Sequence, residues 1–276
     1  VRVTGSGLGC PDWPLCDGRL IPPIEYHALI EYTHRLVASL VGLLVLLSAA
    51  WAWWKYRQIR RVVVPLTLAV PLVGLAGWLG RNAVLSELSP TTVTIHLAVA
   101  QVTLALLLVA SVWSWRSAPG EARVETADRA FRRRALGALP TAFLILLSGS
   151  YAVGKGADTS CPAWPLCDGG LFPSFEMAWV HMAHRAIAGL AGLHLAWVAF
   201  LGWRQRADSP ALGRTGVLVI GLLVIQTLAG AANPWTGFIP AARAIHLSLA
   251  TALWGSIVVL AALCWRPEDL EPSATL

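Results

Sequence analysis

Apolar residues follow one another in long blocks along this chain, and polar residues are gathered between the blocks. Each block is about 20 residues long, the length of an α-helix that crosses the hydrocarbon core of a bilayer. Backbone groups find no hydrogen-bond partner in lipid, so such blocks must form helices that bond internally. The pattern predicts seven membrane-spanning helices, over residues 29–54, 62–79, 91–115, 134–153, 178–203, 213–232 and 241–265.

The charged residues tell us how these helices are oriented. Only 13% of the residues are charged, whereas a soluble domain carries about 25%. One side of the membrane receives 14 basic residues, at positions 55, 57, 60, 61, 116, 123, 129, 132, 133, 134, 204, 206, 214 and 266. The other side receives five, namely Arg2, Arg19, Arg81, Lys155 and Arg243. The richer side is therefore expected to be cytoplasmic in a multi-pass cell-membrane protein. The net charge of +6 reflects this topology, and no nucleic-acid partner is indicated.

A duplicated unit accounts for most of the chain. The motif Cys-Pro-Asp-Trp-Pro-Leu-Cys-Asp-Gly at residues 10–18 recurs at 161–169, with Ala in place of the first Asp. The offset is 151 residues there and becomes 150 after a one-residue deletion. The matched positions are then His34 with His184, Arg35 with Arg185, Gly80 with Gly230, and His96 with His246. The repeat predicts an N-terminal half at 1–116 and a C-terminal half at 134–276, joined by a polar cytoplasmic linker at 117–133.

The two halves differ in their number of helices. The block at 134–153 precedes the second Cys motif, and its counterpart would lie before Val1. We therefore expect a further helix upstream of Val1 in the natural protein. The predicted fold is an all-α integral membrane protein of two pseudo-symmetric four-helix bundles, with seven helices visible. Four helices return the chain to the same side of the membrane, so the repeat is expected to be parallel, about an axis along the membrane normal.

Four of the five cysteines form two closely spaced pairs, Cys10 with Cys16 and Cys161 with Cys167. Both pairs fall on the predicted outer, oxidising side, so we expect one disulfide in each loop. A metal site is the alternative, but two Cys without a nearby His supply too few ligands. Each disulfide either only fastens its loop or, in the first half, is redox-active. Cys264 is expected to be an ordinary apolar side chain inside the last helix.

Two histidines occupy equivalent places in each half, His34 and His96 in the first and His184 and His246 in the second. Ionisable residues in membrane helices usually face the bundle interior. Two imidazoles from facing helices suit a haem iron bound from both sides, whereas zinc would require further ligands. Small residues on the second helix of each half favour either a large flat ligand or close helix packing. These small residues are Gly74, Ala76, Gly77, Gly80, Ala229, Gly230, Ala231 and Ala232.

Charged residues next to these histidines suggest further roles. Arg35 and Arg185 directly follow the first histidine of each half. They either bind haem propionates or extend to the outer interface. Glu31 lies three residues before His34, on the same helical face, and its counterpart in the second half is His181. A carboxylate costs about 2.5–3.5 kcal/mol at the centre of a membrane helix and less near the interface. Glu31 is therefore either a functional acid or a solvated interfacial residue. The asymmetry indicates that one half binds a cofactor and the other performs chemistry.

Taken together, these residues resemble the haem A synthases, membrane enzymes of cytochrome oxidase assembly. The resemblance covers nearly the whole chain. It is carried by Thr4-Gly5-Ser6-Gly7 before the first Cys motif, by Glu31-Tyr32-Thr33-His34-Arg35, by His96, and by His184-Arg185 and His246. The family has eight helices in two four-helix halves, which agrees with the helix expected upstream of Val1.

The resemblance implies an oxidoreductase that oxidises a methyl group of haem O to the formyl group of haem A. It implies a haem b held by His184 and His246, substrate haem near His34 and His96, and Glu31 as the essential acid. It also implies that Cys10 and Cys16 form the outer-loop disulfide, whereas the second cysteine pair is not present in every member. Haem O synthase and an electron donor are the implied protein partners, and the assembled form is compatible with a homo-oligomer.

Our mechanistic hypothesis is two successive hydroxylations of the methyl carbon, giving a gem-diol that loses water. Glu31 would accept or relay a proton, or stabilise a cationic intermediate, while haem carries the oxidation. Two other classes of protein fit the histidine pattern. One is a bis-His b-type cytochrome that transfers electrons from quinol. The other is a haem transporter or assembly scaffold, which the presence of the acid in only one half disfavours.

Overall fold

The computed structural model describes residues 1–117, 127–167, 170 and 172–265. In this part of the chain seven α-helices form and no β-strand is present. The helices are α1 Tyr26–Lys55, α2 Arg60–Leu85, α3 Pro90–Arg116, α4 Arg129–Gly154, α5 Glu176–Arg204, α6 Pro210–Trp235 and α7 Pro240–Leu263. All seven are long and apolar enough to cross a membrane. The prediction of an all-α, multi-pass membrane protein with seven visible helices is confirmed.

The helix ends differ from the apolar blocks where polar residues continue or cap a helix. α4 begins at Arg129 because the Asp128 carboxylate accepts a hydrogen bond from the Phe131 amide at 2.6 Å, which is a typical N-cap. Residues 129–133, predicted as linker, are therefore helical, and residues 118–126 of the linker lie outside the described part. α7 ends at Leu263, so the prediction that Cys264 lies inside the last helix is wrong. Cys264 caps that helix and is buried, as expected for an apolar side chain.

The sequence repeat is also a structural repeat. Helices α1, α2 and α3 begin at residues 26, 60 and 90, and α5, α6 and α7 begin at 176, 210 and 240, each 150 residues later. The turns after α2 and α6 match as well, since Glu87 and Leu88 have left-handed backbone angles and so do Gly237 and Phe238. The duplication therefore extends to the conformation of the connecting turns.

The two halves pack against each other through three helices. α4 contacts α5 and α7, and α6 packs against both α5 and α7, so α4–α7 form a closed four-helix bundle. In the first half α2 lies against α1 and α3. α3 also contacts α4 and α7, which joins the halves. The largest core cluster lies in the second bundle and includes Phe131, Leu195, Leu212 and Ile257.

Equivalent residues meet where α3 crosses α7. Gln101 and Thr251 are 150 residues apart, and the Gln101 amide nitrogen donates to the Thr251 hydroxyl at 3.3 Å. The Trp254 indole N–H donates to the Gln101 backbone carbonyl at 3.0 Å. A contact between equivalent residues is expected where a two-fold axis relates two units. Equivalent positions of the two halves are thus in contact where α3 packs on α7.

Candidate functional site

The four repeated histidines lie near one end of the bundle, where the two Cys loops are also found; we refer to it as the disulfide end. His34 and His184 are the ninth residues of α1 and α5, and His96 and His246 are the seventh residues of α3 and α7. In each half the two helices that carry these histidines pack on the helix between them, α2 in the first half and α6 in the second. The structure therefore places both pairs that the repeat singled out at the same end of the helices.

In the first half, the helix between the two histidine helices orients the second imidazole. His96 Nδ1 lies 2.9 Å from the Ala76 carbonyl on α2, and a carbonyl oxygen can only accept a hydrogen bond. Nδ1 must therefore carry the hydrogen, and Nε2 keeps its lone pair, as an iron ligand requires. In the second half His246 Nδ1 lies close to the backbone of Gln226, the residue equivalent to Ala76, without meeting hydrogen-bond geometry.

Glycine leaves the room that these imidazoles occupy. A Cβ added to Gly80 would lie 3.4 Å from His96 Cε1, and one added to Gly230 would lie 3.0 Å from His246 Cε1. The sequence pattern had suggested a flat ligand or helix packing for these small residues. In the structure, the equivalent glycines Gly80 and Gly230 each lie against the ring of the second histidine of their half.

His184 has a further set of neighbours that sequence reasoning missed. The Ser148 hydroxyl on α4 donates to the Ile145 carbonyl at 2.9 Å and so accepts from His184 Nδ1, also at 2.9 Å. This fixes the hydrogen on Nδ1 and leaves Nε2 free to bind iron. A Cβ added to Gly149 would lie 3.0 Å from His184 Cε1. Ser-Gly in the helix preceding the Cys motif was the available signal.

The first half has no such helix among its described residues. There α1 is contacted by α2, and the His34 side chain is exposed. The additional helix that we expect upstream of Val1 stays a prediction.

Glu31 is buried near the disulfide end, with 5% of its surface exposed. Its carboxylate forms an ion pair with Arg35 one helical turn later, at 3.1 Å between Oε1 and Nε. His181 occupies the equivalent place in α5, and its Nδ1 is buried without a hydrogen-bond partner among the described residues. The two halves therefore carry different chemistry at the same position.

Both predicted disulfides are confirmed, between Cys10 and Cys16 and between Cys161 and Cys167. All four sulfur-bearing residues are fully buried. We call residues 10–16 the first Cys loop and residues 161–167 the second Cys loop. Asp168 and Gly169, which complete the second motif, lie outside the described residues.

Each Cys loop is fastened to its helix by the arginine that follows the histidine. Arg35 donates to the backbone carbonyls of Cys10, Asp12 and Leu15 at 2.8–2.9 Å. Arg185 donates in the same way to the carbonyls of Cys161, Ala163, Pro165 and Leu166, at 2.7–3.4 Å. Sequence reasoning missed this role, and propionate binding by either arginine stays a prediction.

The first Cys loop has a brace that the second lacks. The Asp12 carboxylate accepts hydrogen bonds from the Gly18 and Asp17 amides at 2.8 and 2.7 Å. These amides, with Gly18 contributing most, lower the pKa of Asp12 below its usual value. Ala163 stands at the equivalent place in the second loop.

The donor set fits a haem iron held between two imidazoles. Within the described ranges, no group of three or more His, Cys, Asp or Glu side chains comes together in a way that could hold a metal ion. The first half supplies two imidazoles from α1 and α3, and the second half supplies two from α5 and α7; His96 and His184 have Nε2 free. Coordination by two axial histidines on opposite sides of a haem plane uses this arrangement.

Comparison with known proteins places the chain among membrane proteins of haem metabolism. The COX15-CtaA family model, described as cytochrome oxidase assembly protein, matches residues 24–258. That range contains Glu31 and all four repeated histidines. A relative from Alkalihalophilus pseudofirmus named "Heme A synthase" is 27% identical over 271 residues, which cover 97% of this chain and 91% of the relative.

Two further relatives carry the same name. The protein from Halalkalibacterium halodurans is 30% identical over 242 residues, or 86% of this chain and 80% of the relative. The protein from Symbiobacterium thermophilum is 29% identical over 275 residues, or 96% of this chain and 88% of the relative. The similarity thus runs through both halves of the repeat.

Proposed function

The chain belongs to the COX15-CtaA family of cytochrome oxidase assembly proteins, and from this premise we propose that it has haem A synthase activity. It is an oxidoreductase that converts haem O to haem A, as the names of its relatives indicate. The observation that carries the proposal is the presence of two matched histidine pairs with a buried acid beside only one of them. The alternative of a quinol-linked b-type cytochrome is not favoured by these relatives.

We assign a resident haem b to His184 and His246 in the C-terminal half. The hydrogen bond from His184 to Ser148 supports this assignment, because it holds the imidazole with Nε2 free. Gly149 and Gly230 support it as well, because they admit the two rings without a steric clash. A haem bound there would supply one-electron chemistry.

We assign the substrate haem to the N-terminal half, between His34 and His96. The Ala76 carbonyl fixes the His96 tautomer, and Arg35 holds the Glu31 carboxylate near the same end of the helices. In our proposal Glu31 accepts or relays the proton released as the methyl group is oxidised, or stabilises a cationic intermediate. Two hydroxylations, for which an external oxidant takes up four electrons from the methyl carbon, would give a gem-diol, and loss of water from it gives the formyl group.

The charge pattern supports an orientation with the disulfide end outside the cell and the basic segments in the cytoplasm. Arg35 and Arg185 are candidates for contacts with haem propionates in addition to their contacts with the loops. Haem O synthase as the source of substrate, and a separate electron donor, complete the proposal.

Haem A formation in a strain that makes haem O but lacks its own synthase is the direct test. The wild-type chain should produce haem A, measured by chromatography of extracted haems. Glu31→Ala should retain bound haem b but lower haem A by at least about a hundredfold, the usual range for removing a group that transfers protons. Absence of haem A with the wild-type chain would contradict the proposed function.

His184→Ala is the matched variant for the other half. It should lose the b-type absorption spectrum, because one of the two side chains that would bind the haem iron is removed. A bis-imidazole b-haem spectrum that survived this substitution would contradict the assignment of haem b to the C-terminal half. Normal haem A yield in Glu31→Ala would contradict the role of the acid, although not the activity itself.

A further inference from the structure

We propose that Arg35 is a positioning residue for the reaction, which transmits the closed shape of the first Cys loop to the carboxylate of Glu31. The inference rests on the proposed function and adds a residue to it. The first Cys loop then acts on the chemistry through a chain of direct contacts, from backbone carbonyls to guanidinium to carboxylate.

The guanidinium of Arg35 lies at the centre of these contacts. Nη1 donates to the Asp12 and Leu15 carbonyls at 2.8 Å each, and Nη2 donates to the Cys10 carbonyl at 2.9 Å. All three acceptors lie within the ring that the Cys10–Cys16 disulfide closes. Nε remains and donates to Glu31 at 3.1 Å. A planar fork with fixed donors can satisfy such an arrangement only in one orientation.

Glu31 depends on this orientation because it has little access to water. The Glu31 side chain is 6% exposed, and that of Arg35 is 14% exposed. A buried charge that loses its partner is strongly unfavourable. The direction of the Arg35 fork therefore decides where the Glu31 carboxylate lies relative to His34 on the next helical turn.

The second half provides an internal comparison. Arg185 holds the second Cys loop through four carbonyls, much as Arg35 holds the first. Among the described residues no ion pair joins Arg185 to a carboxylate, and position 181, which is equivalent to Glu31, is histidine. Fastening a loop is thus common to both halves, whereas contact with a buried acid belongs to the half that we assign to substrate.

Opening the first Cys loop would therefore change the position of the Glu31 carboxylate without touching it directly. Without the disulfide the three carbonyls no longer need to converge, and the fork loses the contacts that fix its plane. Glu31 would keep its charge partner but lose its defined position. The inference concerns this mechanical link and requires no electron transfer through the cysteines.

A double-mutant cycle in the full-length, haem b-loaded protein tests the link, with haem A formed per bound haem b as the readout. Arg35→Gln should lower this ratio by at least about tenfold, because small misplacements of a positioned group cost up to about a hundredfold in rate. Glu31→Asp retracts the carboxylate by one methylene and should also lower it. The double variant Arg35→Gln/Glu31→Asp should lower the ratio by less than about a further twofold beyond the larger single loss, because both substitutions remove the same contact.

Three control variants separate positioning from loop fastening and from charge. Arg19→Gln removes an exposed positive charge beside the same loop and should leave the ratio at the wild-type level. Any fold-loss caused by Arg185→Gln should multiply with the fold-loss caused by Glu31→Asp, because the two residues are not in contact. Arg35→Lys keeps the charge but not the fork, so its activity should lie between those of wild type and Arg35→Gln. Arg35→Lys also replaces Arg35→Gln in the double-mutant cycle if Arg35→Gln fails to bind haem b.

The inference is overturned if Arg35→Gln or Arg35→Lys forms haem A at the wild-type ratio. It is also overturned if the losses from Arg35→Gln and Glu31→Asp multiply, since the arginine would then act independently of the acid. These outcomes leave the proposed function intact as long as the wild-type chain makes haem A. If the wild-type chain makes none, the proposed function itself fails.

Discussion

Single atoms decide how the candidate ligands are held. His96 and His184 each have Nδ1 engaged by an acceptor from a neighbouring helix, so both present Nε2. The His96 ring lies against Gly80, the His184 ring against Gly149, and the His246 ring against Gly230. A Cβ added at Gly149 or Gly230 would lie 3.0 Å from the imidazole and press on it, whereas one at Gly80 would lie 3.4 Å away, in ordinary contact.

Gly230→Ala is expected to disturb the proposed haem b site. The new Cβ would lie 3.0 Å from His246 Cε1, so the ring must move by a few tenths of an ångström. Displaced ligand supports typically cost about 10–100-fold in affinity, so we expect lower haem b content and a shifted absorption spectrum. Gly221→Ala on the same helix is the control, because its Cβ would meet no atom within 4 Å. Equal spectra for the two variants would rule out the proposed steric role.

At the scale of elements, the two Cys loops share a fold but not their bracing. Both are closed by a disulfide and held by an arginine from the following helix. Only the first has an aspartate, Asp12, that accepts from backbone amides beyond the second cysteine. The loop with this additional brace is the one connected to Glu31.

The Asp12 brace should make the first loop sensitive to acid. The pKa of Asp12 is lowered in the folded protein. Its carboxylate therefore stabilises the loop fully when the pH is above about 4, the ordinary pKa of aspartate. This stabilisation is lost as the pH falls from there through the lowered pKa. Reduction of Cys10–Cys16 by a phosphine should therefore be slow at neutral pH and accelerate below about pH 4. Asp12→Ala should be fast throughout.

The second bridge, Cys161–Cys167, is the control for that measurement. Ala163 replaces the aspartate there, so its reduction rate should not respond to Asp12→Ala. Peptide mass spectrometry distinguishes the two bridges in one sample. If the first bridge in Asp12→Ala keeps the wild-type dependence on pH, the brace does not hold the loop.

At the scale of the whole molecule, a duplicated unit carries the two different tasks that we propose for its halves. The halves share helix positions, turns, disulfides and histidine pairs. They meet where α3 crosses α7, with Gln101 and Thr251 at equivalent places. Against this common frame, Glu31 in place of His181 is the difference that we assign to catalysis.

The orientation in the membrane can be tested with single cysteines in the full chain. Ser86→Cys places an exposed thiol at the disulfide end, and Arg57→Cys places one at the opposite end. A membrane-impermeant maleimide should label Ser86→Cys in intact spheroplasts and Arg57→Cys only after lysis. The native cysteines are bridged or buried and serve as background. The reverse labelling pattern would overturn the predicted sidedness.

Much of the architecture could be predicted from the order of residues because the bilayer limits the alternatives. Apolar blocks of spanning length must become helices, and the internal repeat alone pairs His34 with His184 and His96 with His246. The ends of α4 and α7 were less predictable. A cap such as Asp128 or a final turn at Leu263 depends on local hydrogen bonds that hydropathy does not register.

The sequence by itself determined the seven helices, the duplication, the two disulfides and the one asymmetric acid. Each follows from spacing along one chain or from comparison of equivalent positions. Only the tertiary structure decided that Ser148 and Gly149 on α4 hold His184, and that Arg35 joins the first Cys loop to Glu31. These contacts join side chains to atoms of other helices and loops. Their partners are selected by how the elements pack, which no periodicity in the chain records.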